Sequence, residues 1–492
     1  MDFAEELRAG LQSLFAAGPI EIGERGGRIT PAAPLSWEVR GAAGKPLLHL
    51  WADNCNLTRR VVAIRDRSEA RLLLAVERFG RAEPERLEIA RLDFKRSPKQ
   101  VSREDFCEQL RRILGENFSD ESVEKLSVAA DLEHSLSRVY ARGISRKGAM
   151  RCAFLAVPEG ETPDAVESSL TFALLWLERA RQTKGEGIVS FLRLILPGGK
   201  SGLLRHQLGA LHPRLAIQIY ELDSLHESVE RVDPCSNGNV SSWLAARKKW
   251  GQLRSSAAGD LAAIVAMAPE AVSVHVVSQE QEVVLCFRGL PFARWKNERI
   301  YFGSQSVWEE LCPRNEYKLK QLVLNLQKYR NPLARNPRHP LYRAQAERWM
   351  QSLVMQDVSR VDVSLDPEHV YEQVFAQAGG QRGILDLLAV TRTKRLAIVE
   401  LKAAENVDLP LQAADYWERI RRHQGQGNLA RYGYFPGLQL QTTPSIVYLV
   451  SPALRFHPTT DTLLKYLSPE MEIIRVGLAE DWRRGLRVVM RQ

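Results

Sequence analysis

The stretch GILDLLAVTRTKRLAIVELK, residues 383–402, constrains the fold of this chain more than any other segment. Two apolar runs flank a short polar turn, which predicts a β-hairpin. Alternate residues of a strand face opposite sides of a sheet. In the second run Leu396, Ile398, Glu400 and Lys402 share one face, and Ala397, Val399, Leu401 and Ala403 share the other. In the first run Ile384, Asp386, Leu388 and Val390 oppose Leu385, Leu387 and Ala389. Both faces of both strands are apolar, so the hairpin belongs inside a sheet covered on two sides. Three charges interrupt it: Asp386, Glu400 and Lys402.

A buried carboxylate without a partner costs several kcal/mol, and such groups are paired or hold a metal. A turn centred on Thr393 sets Asp386 opposite Glu400. Directly opposed side chains lie about 5 Å apart, close enough to share one ion. Without a cation the two carboxylates repel, and one of them must keep its proton. A divalent ion that prefers oxygen, Mg²⁺ or Mn²⁺, resolves the conflict with one or two carboxylates and water. Lys402, on the Glu400 face, reaches the same cleft. A strand end with a Glu–Lys pair and a capped Asp accounts for the same residues without a metal, and at this stage both readings stand.

The segment LPLQAADYWERIRRH begins a helix near Leu409. Leu409, Ala413, Trp417 and Ile420 form its apolar arc, and Gln412, Tyr416, Arg419 and His423 form a polar arc beside it. With the apolar arc on the sheet, the polar arc is expected to border the carboxylate cleft and to offer donors and cations to a phosphate backbone. Upstream, PLYRAQAERWMQSLV predicts a helix whose Glu347 either reaches the cleft or is a solvated helix residue, and EHVYEQVFAQ predicts a strand with Glu372 on its surface.

Taken in order, a helix with Glu347, a strand, a strand with Asp386, a strand with Glu400-Leu401-Lys402 and a helix with Gln412 and Tyr416 resemble the PD-(D/E)XK nuclease superfamily, the restriction-endonuclease-like fold. The resemblance runs from Glu347 to about Arg431. It departs from the pattern before Asp386, where Ile384 and Leu385 stand in place of the proline that names the family. The resemblance implies that Asp386 and Glu400, with the Leu401 carbonyl, ligate Mg²⁺ or Mn²⁺. It also implies that Lys402 steadies the attacking water or the developing charge, that Glu347 holds an outer metal water, and that Gln412 and Tyr416 orient Lys402 or grip the backbone. The implied reaction is phosphodiester hydrolysis in nucleic acid, DNA favoured over RNA, with Arg419 and His423 as backbone contacts. A nuclease-like domain that binds nucleic acid or assembles a complex without cutting is the competing expectation.

The remaining sequence is less specific. At 492 residues the chain exceeds one ordinary core. The expected architecture is α/β and multidomain. Residues 1–150 form a β-rich module, 151–225 a small α/β unit, 226–340 a mixed segment ending in a connector, and 341–492 the restriction-endonuclease-like core, a mixed central sheet flanked by helices. RVDPCSNGNVSS has the composition of an exposed linker, and the basic, proline-bearing YRNPLARNPRHPLYR that of an extended connector. The net charge of +9 is compatible with a polyanionic partner without requiring one. The 6 cysteines form no Cys-x-x-Cys pair and no zinc-ligand spacing with His, consistent with reduced thiols and a cytoplasmic protein. Gly199-Lys200-Ser201 imitates the end of a phosphate-binding loop, but Leu194 stands where the pattern requires its first glycine.

Overall fold

The computed structural model describes residues 3–492 apart from 17, 25–26, 30, 32–34, 42–44, 53–54, 69, 78–83, 93–102, 132, 184–186, 225–226, 234–242, 245, 248–249, 278–280, 305–306 and 379–380. Most of the expected linker at 231–242 therefore lies outside the described residues. Among the described residues four sheets, each flanked by helix, make an α/β multidomain chain. No helix among them is long and apolar enough to cross a membrane.

The first sheet is an antiparallel array of seven strands between Ile20 and Arg91. Helix Phe3–Ala16 buries Leu7, Leu11 and Leu14, one turn apart, against it. The second sheet has six strands from Ser122 to Val232. Its centre, Met150–Ala156, Val189–Pro197 and Ile217–Asp223, is parallel, and its edges are antiparallel. Helix Arg103–Asn117 covers one face and Pro163–Gln182 the other. The boundary expected at 150 cuts through the hairpin that joins Ala141–Lys147 to Met150–Ala156. The strand Ser122–Ser127 is short and polar with no buried residue, so nothing in its sequence announces a sheet edge. The third sheet is a five-stranded meander from Val272 to Glu310, packed against helices Trp250–Val265 and Glu316–Tyr329.

The fourth sheet holds the hairpin. Its elements are α1 (Ala346–Gln356), β1 (Leu365–Ala378), β2 (Gln381–Thr391), β3 (Leu396–Leu401), α2 (Leu409–Gly425), β4 (Ile446–Pro452), β5 (Ile473–Leu478) and β6 (Val488–Arg491). The strands lie side by side in chain order, with the short strand Trp243–Leu244 outside β1. β1, β2 and β3 are antiparallel, β3, β4 and β5 parallel, and β6 returns antiparallel. Leu387 faces Val399 and Ala389 faces Ala397, the register that a turn centred on Thr393 requires. All six residues of β3 are buried. Trp349, Met350 and Val354 of α1 pack on one face of the sheet, and Ala413, Trp417 and Ile420 of α2 on the other. Fully burying one such aliphatic side chain contributes about 1.5–3 kcal/mol. Several together outweigh the cost of the one carboxylate in β3. Strict alternation fails at Asp386: Leu385 packs with Leu388 and Val390, not with Leu387.

Two expected units are not independent. One continuous core joins Leu170, Leu174 and Leu194 of the second sheet's layer to Ile398 of β3 and Trp417 of α2. Ser168 Oγ donates to Asp408 Oδ2 at 2.8 Å, and Leu211 bridges to Leu467. The expected extended connector is instead folded. Arg330 is fully buried and donates to the carbonyls of Phe287, Leu341 and Ala344, which fastens the connector to the third sheet and to the entry of α1. The phosphate-loop imitation is a plain turn: the Ser201 N–H donates to Glu221 Oε1 at 3.0 Å, and that carboxylate stands where an anion would.

Candidate active site

The ladder between β2 and β3 ends at Leu387 and Val399. Asp386 and Glu400 come next along the two strands, just beyond the last ladder pair, close enough for the Asp386 charge to act on Glu400. Asp386 Oδ2 accepts the Leu401 N–H at 2.9 Å in place of a backbone carbonyl. The β1 side is irregular at the same level. Gln373 would face Asp386, but its φ of 49° lies in the left-handed region, and pairing resumes at Val374 and Leu385. Non-glycine residues in that region cluster at functional sites, held there by surrounding contacts. Here the Gln373 amide donates to Gln351 Oε1 of α1 at 2.7 Å.

Glu400 is 2% exposed, and its Oε2 is buried without a hydrogen-bond partner. Burial pushes its carboxyl well above the usual carboxylate range, the Asp386 charge pushes it further, and Lys402 offsets part of the rise. Asp386 is raised as well, chiefly by burial, with the Leu401 N–H and Lys402 opposing. Lys402 Nζ lies 3.3 Å from Glu400 Oε1 and 3.7 Å from Glu347 Oε2. Burial alone would lower the Lys402 pKa, but Glu400, Glu347 and Asp386 outweigh it and hold the ammonium above its ordinary value. Glu347 projects from the first turn of α1 with its side chain 45% exposed.

Of the four polar residues of α2, Tyr416 lies within reach of the charges of Glu400 and Asp386. The Tyr416 hydroxyl is held above the ordinary tyrosine value by burial first, then by the charges of Glu400, Asp415 and Asp386. Gln412 Oε1 is buried with no partner. Gly383 makes room for this arrangement: a Cβ there would lie 3.0 Å from Tyr416 Cε1 and 2.8 Å from Arg419 Nη1. Strand glycines of this kind mark close approach, a signal the sequence carried.

Arg419 and His423 do not face the cleft. Both are buried: Arg419 meets His206 of the second sheet's unit, and His423 Nδ1 lies 3.2 Å from Asn428 Nδ2 just beyond α2. Arg419 donates to Asp415 Oδ2 and to the Ala376 carbonyl, and its Nη2 lies 3.0 Å from His206 Nε2. His206 Nε2 in turn lies 2.6 Å from Asp415 Oδ1. Burial, then the Arg419 charge, pushes His423 down to about 4, so its ring is neutral at physiological pH. Neither residue is placed to contact a nucleic-acid backbone. Glu372, expected on a strand surface, reaches His275 of the third sheet at 2.5 Å.

The donor set fits a divalent cation. It offers two carboxylates, one with an orphaned buried oxygen, at a strand end where the Leu401 carbonyl is a further oxygen ligand by type. Among the described residues one trio, Asp366, Glu368 and His369, brings its ligand atoms within 4.8 Å of one another. Lys394 already sits 3.0 Å from Asp366 Oδ2, so an ammonium neutralises that group. Glu347, Asp386 and Glu400 are not gathered so closely; the Lys402 ammonium touches Glu347 and Glu400 both. Neither a protein-family model nor a curated protein matches this chain.

Proposed function

We propose that residues 341–492 form a restriction-endonuclease-like domain of the PD-(D/E)XK type and that the protein is a metal-dependent nuclease, DNA favoured over RNA. One observation carries this reading: Glu400 is buried with an unpartnered oxygen beside Asp386, on adjacent strands that part at that point. A binding module has no need of two mutually repelling buried carboxylates with a lysine beside them.

Asp386, Glu400 and the Leu401 carbonyl would hold Mg²⁺ or Mn²⁺. When bound, such an ion lowers the pKa of its water and stabilises charge on a phosphate. The protein's own groups do the positioning. Lys402, kept protonated by three carboxylates, stabilises negative charge developing on the phosphate. Glu347, at the exposed rim, would hold an outer water of that ion. Tyr416 stays protonated and donates its hydroxyl proton into the cleft. Gln412 presents an acceptor that is otherwise unsatisfied.

The test is cleavage of labelled DNA and RNA, single- and double-stranded, by the full chain with Mg²⁺, Mn²⁺ or EDTA, beside Asp386→Ala and Glu400→Ala. Cutting that needs the metal and is lost in both variants supports the reading. Variants that cut like the wild type, or a wild type that cuts nothing with either metal, overturn it.

A further inference from the structure

The most one-sided run of charge in the chain lies just before the cleft. From Tyr317 to Ala346 there is no Asp or Glu, while Lys318, Lys320, Lys328, Arg330, Arg335, Arg338 and Arg343 all fall there. Four of these have local duties. Lys318 pairs with Glu309 and Lys320 with Glu316, Lys328 sits over the Tyr329 ring, and Arg330 is buried among carbonyls. Arg335, Arg338 and Arg343 are exposed, and among the described residues none has a carboxylate partner.

These three arginines sit on a built segment. Asn331 Oδ1 accepts the Leu333 N–H at 2.9 Å, and Asn336 Oδ1 accepts the Arg338 N–H at 3.1 Å. His339 stacks on Tyr329 at 3.7 Å with the rings 2° from parallel. The segment runs into the short helix Pro340–Arg343, whose end Arg330 holds through the Leu341 and Ala344 carbonyls. Glu347 of the cleft follows four residues after Arg343, and the exposed Arg348 is close enough for its charge to act on Asp386.

We propose that residues 331–348 are a phosphate track along which a nucleic-acid strand is led to the cleft of Asp386, Glu400 and Lys402. The proposal rests on the nuclease reading above and adds where the substrate lies. Guanidinium groups take phosphate oxygens in pairs of hydrogen bonds, so fixed arginines hold a backbone without reading its bases. The track therefore contributes affinity that depends on salt and not on sequence.

The experiment measures binding of the full chain to fluorescent single-stranded DNA, duplex DNA and RNA by anisotropy in EDTA, where nothing is cut, across a range of salt. The track variant is Arg335→Gln/Arg338→Gln/Arg343→Gln. The control is Arg65→Gln/Arg111→Gln/Arg254→Gln, which removes equal charge from exposed sites elsewhere. Each lost phosphate contact reduces the slope of log affinity against log salt by about 0.7–0.9, so the track variant should lose about 2–3 in slope and bind on the order of tenfold or more weakly. The control should stay near the wild type, and the binding arms identify the preferred nucleic acid. A track variant that binds like the control, or a wild type that binds none of the three, overturns the proposal. Track-dependent binding by a protein that cuts nothing with metal would refute the nuclease reading alone.

Discussion

The Asp386 carboxylate accepts the backbone N–H of Leu401, the residue that follows Glu400. One carboxylate thus closes the end of the strand that carries the other. The contact fixes the two acids as neighbours and leaves Lys402, held by Glu400 and Glu347, as the cation beside them. Such an arrangement gives up stability to keep charge in one place, and this makes it testable without a substrate.

Glu400→Gln should stabilise the protein at neutral pH while abolishing cleavage. The folded-state pKa of Glu400 lies well above its ordinary 4.5. The folded protein therefore keeps a proton that the unfolded chain releases. The associated stability is fully present below 4.5 and is lost as pH rises through the folded value. At pH 7 the wild type carries that loss and the glutamine variant does not. The variant should therefore be the more stable protein in urea unfolding at pH 7, by a margin that shrinks toward pH 4. Mn²⁺ at one hundred times its Kd should stabilise the wild type by about 2.7 kcal/mol and leave the variant unmoved. Equal stability of the two proteins at pH 7 and pH 4, or equal response to Mn²⁺, would count against a strained metal site.

Lys402→Met separates binding of metal from use of it. The side chain is 13% exposed, and its removal leaves Glu400 without its cation. Breaking a buried pair ordinarily costs about 3–5 kcal/mol. Glu400 can take up a proton instead, so a loss on the order of 2 kcal/mol is expected in urea unfolding. Calorimetry should show Mn²⁺ binding as tight as in the wild type or tighter, because a like charge has left the cleft. Cleavage should fall by about 10²–10³. Retained cleavage would remove Lys402 from the reaction.

The hairpin was legible because its causes are local. Turn position and side-chain period set the register between Leu387 and Val399 and point to Asp386 opposite Glu400. The apolar arc of α2 was legible for the same reason, through Ala413, Trp417 and Ile420. The polar arc was not. Tyr416 and Arg419 looked equivalent from the helix alone, but His206, at the entry to the turn at 207–210, packs on Arg419. Gly209 there comes so near that a Cβ would lie 2.9 Å from Glu418 Oε1. Nothing within α2 encodes a partner some two hundred residues earlier. The boundary near 150 failed for a related reason: the edge strand Ser122–Ser127 has too little apolar surface to reveal which sheet it joins.

Gly383→Ala tests the fit of β2 beneath α2. The new methyl group would meet Arg419 Nη1 at 2.8 Å, Tyr416 Cε1 at 3.0 Å and the Ala376 carbonyl at 3.0 Å. Two of these belong to fixed groups, so Tyr416 must move. Overpacking of this kind costs about 1–3 kcal/mol. Cleavage should fall more than Mn²⁺ affinity, since Asp386 and Glu400 lie beyond the displaced ring. A variant with wild-type stability and rate would show that the ring has room to shift and that its position is immaterial.

Asp415→Asn should loosen the second sheet's unit from α2. Burial by itself would raise the Asp415 pKa, but the His206 hydrogen bond and the Arg419 charge reverse that and hold the carboxyl below its ordinary 3.8. A depressed folded pKa contributes stability that is present above 3.8 and is lost as pH falls through the folded value. The asparagine variant lacks the charge at every pH and breaks the buried pair of Asp415 with Arg419, a loss of about 3–5 kcal/mol. Urea unfolding at pH 7 should show that loss, and the difference from the wild type should narrow in acid. His206→Ala and the double variant complete a cycle. Because His206 Nε2 lies 2.6 Å from Asp415 Oδ1, a coupling of about 1–3 kcal/mol is expected. Additive losses would mean that His206 and Asp415 do not act as a pair between the two units.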